Sequence, residues 1–467
     1  MKNIITALVF LFPVVAGAQA VTTSFDALVS EADAKQVFSG NVLVIKDNDV
    51  LYEKSIGYAD IEKRIPNTAS TAFQIGSITK MFTKILTLQL AAEHKLDLAD
   101  HLGKYIPGFS KEISDQVTIQ QLMDHTSGLG DYSQQDGFME AHESFQSVSD
   151  ILPLIQKGPL LFPPGTNKEY SNSGYVVLAA IIEKVTGLSY GGALKQRIFV
   201  PLQMDHSGFN AYVKEEAGKA TGYLSNQMGA FKNNLPLHVV GAGDGGIYSS
   251  TGDLWKFIHS FLTDTRLLSN EYKLQEVNSP LFPVTFATWS EFLQKGKQLL
   301  AGGAPGISAV IGFNMEKNYS VIVLSNFDER TAEGMTQRIS AVLNDRKPEP
   351  FQLPPAKFIY TLLTTKGAAY FLANYKKELA DANISMEDDM NLLYAGRLLL
   401  KDKNADAAIA LYTVYTNEFP NIVVAWNDMG DAYLLKGDKE QARKCFKQVL
   451  VLRPANERAR QALQSLQ

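Results

Sequence analysis

The sequence predicts an α+β domain, an antiparallel sheet packed by helices with a separate helical subdomain, followed by an all-α tail. Three observations carry this. Strand hairpins stand at both ends of the first 345 residues with mostly helical patterns between them, a proline-rich and charged break lies at 344–355, and a 34-residue period begins near Asn391. A chain of 467 residues has room for two or three domains with real cores. Lys+Arg 44 against Asp+Glu 49 gives near balance, so neither a nucleic-acid footprint nor an acidic tail is present, and small molecules or peptides are the expected ligands.

From the amino terminus, Lys2, an apolar run from Ile4 to Val15 and the small-residue triplet Ala18-Gln19-Ala20 read as a signal peptide over residues 1–20. No other apolar run is long enough to span a bilayer, so an exported protein, periplasmic or secreted, starting near Val21 with no membrane span, is expected. Gly40 to Lys46 and Val50 to Tyr58 read as a hairpin around Asp47-Asn48-Asp49. Next comes Ser77-Ile78-Thr79-Lys80, in a helical pattern from Ile78 to Ala92 whose Met81, Phe82, Ile85 and Leu86 make it apolar and central. A serine hydroxyl is a poor nucleophile near neutral pH without a base in hydrogen-bond reach, and Lys80, one helical turn on, faces the same way as Ser77. A second helix runs from Gly174 to Val185 and is closed by Gly187; taken without the neighbouring motifs, Tyr170 and Asn172 would be ordinary residues at its start, with Ser171 or Ser173 as its cap. Gly306 to Asn314 and Tyr319 to Asn326 form the second hairpin, around Glu316-Lys317.

A lone S-x-x-K has little weight. Here Phe73 to Thr83, Asp124-His125-Thr126-Ser127-Gly128-Leu129, Phe162-Pro163-Pro164-Gly165 before Tyr170-Ser171-Asn172, Gly243 to Ser250 and Gly302-Gly303-Ala304-Pro305-Gly306 stand in that order. From about residue 25 to 345 the chain therefore resembles the serine β-lactamase-like family, which includes class C β-lactamases, D-amino-acid peptidases, penicillin-binding-protein-like carboxypeptidases and esterases. The resemblance implies a β-lactamase/transpeptidase-like fold with the active site between sheet and helical subdomain. It implies Ser77 as acylated nucleophile, Lys80 and Tyr170 sharing the proton transfers, and Asn172 holding Lys80 and offering its amide to an ester or amide substrate. Backbone N–H groups at Gly303 and Ser77 would form an oxyanion hole beside Gly302. His125 supports a loop in this family, which argues against a Ser-His-Asp triad with Asp124, and Asp244 between glycines reads as a turn residue. Relatives carry Lys-Thr-Gly, or His, a small residue and Gly, on the strand lining the cleft. This chain has Leu300-Ala301-Gly302, which removes the polar head that would greet a substrate carboxylate. That departure favours esters over β-lactams, and leaves room for an inactive binding module as the alternative reading.

Pro348, Pro350, Pro354 and Pro355 mark a linker, so residues 346–385 are expected to be linker and capping helices and 386–467 repeats. Trp426, Gly430, Tyr433, Ala442, Phe446 and Pro454 fit the tetratricopeptide pattern, and Gly396, Ala408, Tyr412 and Pro420 give a degenerate copy one period earlier. Such a tail implies a protein partner. Two units fall short of a closed core, so Phe358, Leu362, Phe371, Leu372 and Tyr375 are read as capping helices. Cys445, the only cysteine, excludes an internal disulfide, and seven scattered histidines without ligand spacing imply neither a metal site nor a cofactor.

Overall fold

A computed structural model describes residues 12–135, 138, 144–210, 216–225, 231–234, 241–278, 284–328, 330–385 and 390–466. The chain divides into two compact units, Met1–Leu224 with Asn233–Glu349, and Ser225–Lys232 with Pro350–Gln467. Residues 1–11 of the expected signal segment lie outside the described residues. Residues 12–20 form the first part of a longer helix, α1 (Phe12–Ala34). Among the described residues no single helix is long and apolar enough to cross a membrane.

The first unit is built on a five-stranded antiparallel sheet of β1 (Gly40–Lys46), β2 (Asp49–Ile56), β3 (Lys297–Ala304), β4 (Ile307–Asn314) and β5 (Tyr319–Ser325). Their spatial order is β3-β4-β5-β1-β2, so the first and last parts of the unit meet at the β5–β1 pair, with Val42 opposite Val323. Every residue of β4 is buried, as a strand covered on both faces requires. Inserted between β2 and β3 in the chain are α2 (Thr79–Ala92), α3 (Asn172–Thr186) and α4 (Asn270–Val277). After the last strand, α5 (Thr331–Leu343) packs on β4 and β5 and against α1, while helix Thr251–Thr263 packs on β1 and β5. The first hairpin stops two residues before Tyr58, because Gly57 adopts φ 71° and sends Tyr58–Asp60 to pair with Ile65–Pro66.

Thr79 through Leu88 of α2 are all buried, so the helix is enclosed on every side rather than along one stripe. Phe82 stacks on Phe257 at 3.9 Å between ring centroids. Burial of side chains such as Phe82, Ile85 and Leu86, each fully buried, contributes about 1.5–3 kcal/mol apiece. Lys84 is enclosed too, and forms an ion pair with the buried Glu276 of α4 at 2.5 Å. α3 is capped by Ser171, whose hydroxyl accepts from Gly174 N at 3.2 Å, and ends at Gly187 with φ 70°.

The second unit is an antiparallel helical stack. It contains α6 (Pro355–Lys366), α7 (Ala368–Asp381), α8 (Met390–Lys401), α9 (Ala405–Glu418), α10 (Val423–Lys436), α11 (Lys439–Leu452) and α12 (Glu457–Ser465). The pairs α8–α9 and α10–α11 are the two repeats. A β carbon on Gly396 would run into the Tyr412 ring, and one on Gly430 into the Phe446 ring, so each pair closes by the same small-against-aromatic contact. Packed against the first pair are α6, on α8, and α7, on α9. At the other end α12, which the repeat pattern does not announce, adds Ala459, and Leu466 just after it, to a core with Ala442, Phe446 and Val449. Cys445 is buried.

Candidate active site

The site assembles where the turn entering α2, the start of α3, two loops and the edge strand β3 meet. Ser77 lies in a 3-10 turn, Gly76–Ile78, and Lys80 is the second residue of α2. The sequence spacing thus spans a turn-to-helix junction rather than one regular helix. Lys80 Nζ nonetheless reaches Ser77 Oγ at 3.1 Å, and Tyr170 OH approaches the same oxygen at 2.8 Å. Tyr170 is 48% exposed and Lys80 6% exposed, so one flank of the serine is open and the other closed.

Lys80 has two further partners that only accept. Its Nζ donates to Asn172 Oδ1 at 2.7 Å and to the Asp244 carbonyl at 2.9 Å. With two hydrogens committed there, the third position on nitrogen points at Ser77 Oγ, as an N–H when the amine is charged and as a lone pair when it is neutral. The ammonium position also lies over the Tyr170 ring, 4.9 Å from its centroid. Such a nitrogen can take the hydroxyl proton without moving.

The acceptors of Lys80 are themselves held. Asn172 Nδ2 donates to Asp131 Oδ2 at 2.7 Å. The Asp244 carboxylate accepts from Ala242 N at 2.8 Å and from Tyr132 OH at 3.0 Å. Burial and the adjacent Asp244 charge push the Tyr132 phenol well up from its ordinary range, which keeps it a donor. The side chain of Asp244 is thus spent on its own loop, and its contribution at the lysine is its carbonyl. Asp131 and Tyr132 belong to the hydrogen-bond network of the site and escape sequence reasoning; their one signal is position, directly after His125-Thr126-Ser127-Gly128-Leu129-Gly130.

His125 lies beneath Tyr170, stacked with ring centroids 4.7 Å apart, and its Nδ1 accepts from Ser171 N at 3.0 Å. The acceptor role places its hydrogen on Nε2. Burial, reinforced by the charges of Lys80, Lys84 and Lys168, pushes the imidazole down to about 3. A neutral ring serving the backbone of the Tyr170 loop is what the structure gives this residue.

The edge strand β3 runs past the serine turn. A β carbon on Gly302 would overlap the Ile75 carbonyl oxygen and lie 2.8 Å from Ser77 N, while one on Gly76 would lie 2.8 Å from Gly303 N. Glycine at 302 is what lets the two backbones come this close. The backbones at Ser77 and Gly303 thereby run close to each other. Leu300, half-buried, packs against the main core, whereas Leu299 on the other face is 50% exposed. No cationic head stands at position 300.

Comparison with known proteins agrees with this architecture. The Beta-lactamase family model matches residues 25–344, and the Tetratricopeptide repeat model matches residues 423–456. Penicillin-binding protein 4* of Bacillus subtilis (strain 168) is 30% identical over 322 residues, covering 64% of this chain and 70% of that protein. Teichoic acid D-alanine hydrolase of Staphylococcus aureus (strain MRSA252) is 34% identical over 224 residues, 48% of this chain and 54% of the relative. Among solved structures, a penicillin binding protein from Bacillus halodurans superposes with a TM-score of 0.59 at 28% identity, covering 68% of this chain and 98% of that one. The chain accordingly belongs to the β-lactamase family, as a serine hydrolase of the β-lactamase-like superfamily that carries a tetratricopeptide tail.

Proposed function

We propose that this protein is an exported hydrolase that forms an acyl-enzyme at Ser77 on an ester or amide and then passes the acyl group to water. The observation that carries the reading is the position of Ser77 Oγ between Lys80 Nζ at 3.1 Å and Tyr170 OH at 2.8 Å. Oγ attacks the carbonyl carbon while its proton moves to Lys80 Nζ, and the carbonyl oxygen takes negative charge facing Ser77 N and Gly303 N. Collapse breaks the bond to the leaving alkoxide or amine, which takes a proton from Tyr170 on the open flank of the serine. Water then attacks the acyl carbon with the same groups acting in reverse, and Ser77 is released with its hydrogen restored.

Asn172 has two roles in this reading, holding Lys80 through Oδ1 and offering the N–H of Nδ2 not given to Asp131 to the substrate. Leu300 favours substrates without a carboxylate next to the scissile bond, since a charge-assisted hydrogen bond of about 1.5–3 kcal/mol is missing at that position. Esters therefore fit better than penicillins. The relatives named as a D-alanine hydrolase and as penicillin-binding proteins support acyl transfer as the reaction class. Export rests on Lys2, the Ile4–Val15 run and Ala18-Gln19-Ala20. The tail is read as a site for a protein partner, since stacked tetratricopeptide units present an extended helical surface.

Turnover of an activated short-chain ester tests the reading. Wild type should release a burst of leaving group equal to the enzyme present, Ser77→Ala none, and Lys80→Ala should acylate a hundredfold or more slowly, because base assistance contributes about 10²–10⁴. Equal turnover by wild type and Ser77→Ala contradicts it, and an unreactive wild type would support the binding-module alternative.

A further inference from the structure

Both fixed acceptors of Lys80 trace back to one short turn. Asp131 caps the 3-10 turn Tyr132–Gln134, its Oδ1 accepting from Ser133 N at 2.9 Å and Ser133 Oγ at 2.7 Å. Its other oxygen takes the Asn172 Nδ2 hydrogen at 2.7 Å, and the next residue, Tyr132, holds the Asp244 carboxylate at 3.0 Å. Through these two bonds the turn reaches Asn172 Oδ1 and the Asp244 carbonyl, the two atoms to which Lys80 is committed.

The Asp131 link has a direction. A side-chain amide presents nearly the same shape whether its oxygen or its nitrogen faces a neighbour, and a lysine amine in its neutral form can donate to the one or accept from the other, so the Lys80 contact alone leaves Asn172 two orientations, one of which turns the lone pair on Nζ away from Ser77. An ionised carboxylate only accepts. With Asp131 fixed by Ser133, Asn172 must turn its nitrogen to Asp131 and its oxygen to Lys80. The chain of bonds then runs one way, from Lys80 through Asn172 to Asp131, and leaves the remaining position on Nζ facing Ser77.

We propose that Asp131 is a positioning residue for this reaction, which locks the orientation of the Asn172 amide and thereby the aim of Lys80 Nζ at Ser77 Oγ. The inference rests on the reading of Lys80 as the proton-handling group of Ser77, and it assigns Asp131 no contact with substrate. A carboxylate and a carboxamide have almost the same volume, so Asp131→Asn keeps the packing while removing the direction: a carboxamide at position 131 can offer either end to Asn172. Asp131→Glu keeps the direction, because a carboxylate at that position still only accepts and still fixes which end of the Asn172 amide faces it.

The test measures acylation of Ser77 by an activated ester across pH in wild type, Asp131→Asn and Asp131→Glu, with thermal melts of each. Asp131→Asn should acylate roughly ten- to a hundredfold more slowly with a displaced pH–rate profile and an unchanged Tm, and Asp131→Glu should acylate about tenfold faster than Asp131→Asn with the wild-type profile. A wild-type rate and profile in Asp131→Asn, or an Asp131→Glu enzyme as slow as Asp131→Asn, overturns the proposal. Lys80→Ala acylating as fast as wild type would instead remove the reading of Lys80 beneath it. A readout independent of turnover is the Asn172 side-chain amide observed by nitrogen-15 NMR with labelled asparagine: one slowly exchanging hydrogen in wild type that becomes fast in Asp131→Ala supports the lock, and identical exchange in both overturns it.

Discussion

Gly302→Ala perturbs the site without touching any side chain in it. A β carbon there overlaps the Ile75 carbonyl oxygen and stands 2.8 Å from Ser77 N, where ordinary contact begins at 3.4 Å. Both neighbours are backbone atoms and neither can rotate away. At 2.0 Å from the Ile75 oxygen the added carbon forces strand β3 and the serine turn to part by about 1.4 Å to reach ordinary contact, and a misplacement of about 1 Å at reacting groups costs about 10²-fold. The parting carries Gly303 N away from Ser77 N, and loss of one oxyanion donor costs about 10²–10³ in rate, or 2.7–4 kcal/mol. Overpacking adds a stability loss of about 1–3 kcal/mol. Burst kinetics with an activated ester, read beside the thermal melt, measure both. Leu299→Ser, at an exposed position on the other face of the same strand, should leave the rate unchanged. A Gly302→Ala enzyme that acylates within threefold of wild type refutes the close approach of β3 as the basis of the oxyanion site.

Replacing Leu300 with His or Lys should shift preference toward carboxylate-bearing substrates; a wild type that hydrolyses cephalosporins well while ignoring short-chain esters would contradict the role given to this position. His125 makes stability depend on pH. Its folded imidazole titrates at about 3 against about 6.5 unfolded, so below pH 6.5 the unfolded chain takes up a proton that the folded one refuses, and stability falls by about 1.4 kcal/mol per pH unit until about pH 3. His125→Asn, which tolerates the observed φ of 58° and keeps an acceptor for Ser171 N, should remove that slope; denaturant titrations at pH 6.5 and 4.5 with equal losses in both proteins would refute it. Residues 386–467 alone should fold poorly, whereas residues 356–467 should melt cooperatively, since one core runs from Ala356 through Leu392 and Tyr412. A sharp circular dichroism transition from 386–467 would remove the need for α6 and α7.

The parts of the site legible in the sequence are those carried by short spacing or ordered motifs. Ser77 and Lys80 stand three residues apart, and Tyr170 and Asn172 two, so local backbone geometry nearly dictates their directions. The parts that sequence reasoning misses are held by long-range bonds. Asn172 meets Asp131 across 41 positions, Tyr132 meets Asp244 across 112, and Lys80 meets the Asp244 carbonyl across 164. A backbone carbonyl has no residue signature at all, which is why Asp244 reads only as a turn. Lys84 carries no sequence signal for a related reason: its partner Glu276 lies far along the chain, and only the fold brings the two together as a buried ion pair. In the tail, Gly396 and Gly430 betray the repeat because each must face an aromatic ring, whereas α12 offers no such pairing and escapes the pattern.

The central claim is that Ser77 is the acylated nucleophile. Trypsin releases it in the peptide spanning residues 65–80, which also holds Ser70 as an internal control. After brief reaction with an activated ester or a fluorophosphonate, mass spectrometry of that peptide should find one adduct, fragment ions should place it on Ser77, and Ser77→Ala should yield none. An adduct on Ser70 or elsewhere, or equal labelling of wild type and Ser77→Ala, would contradict the account.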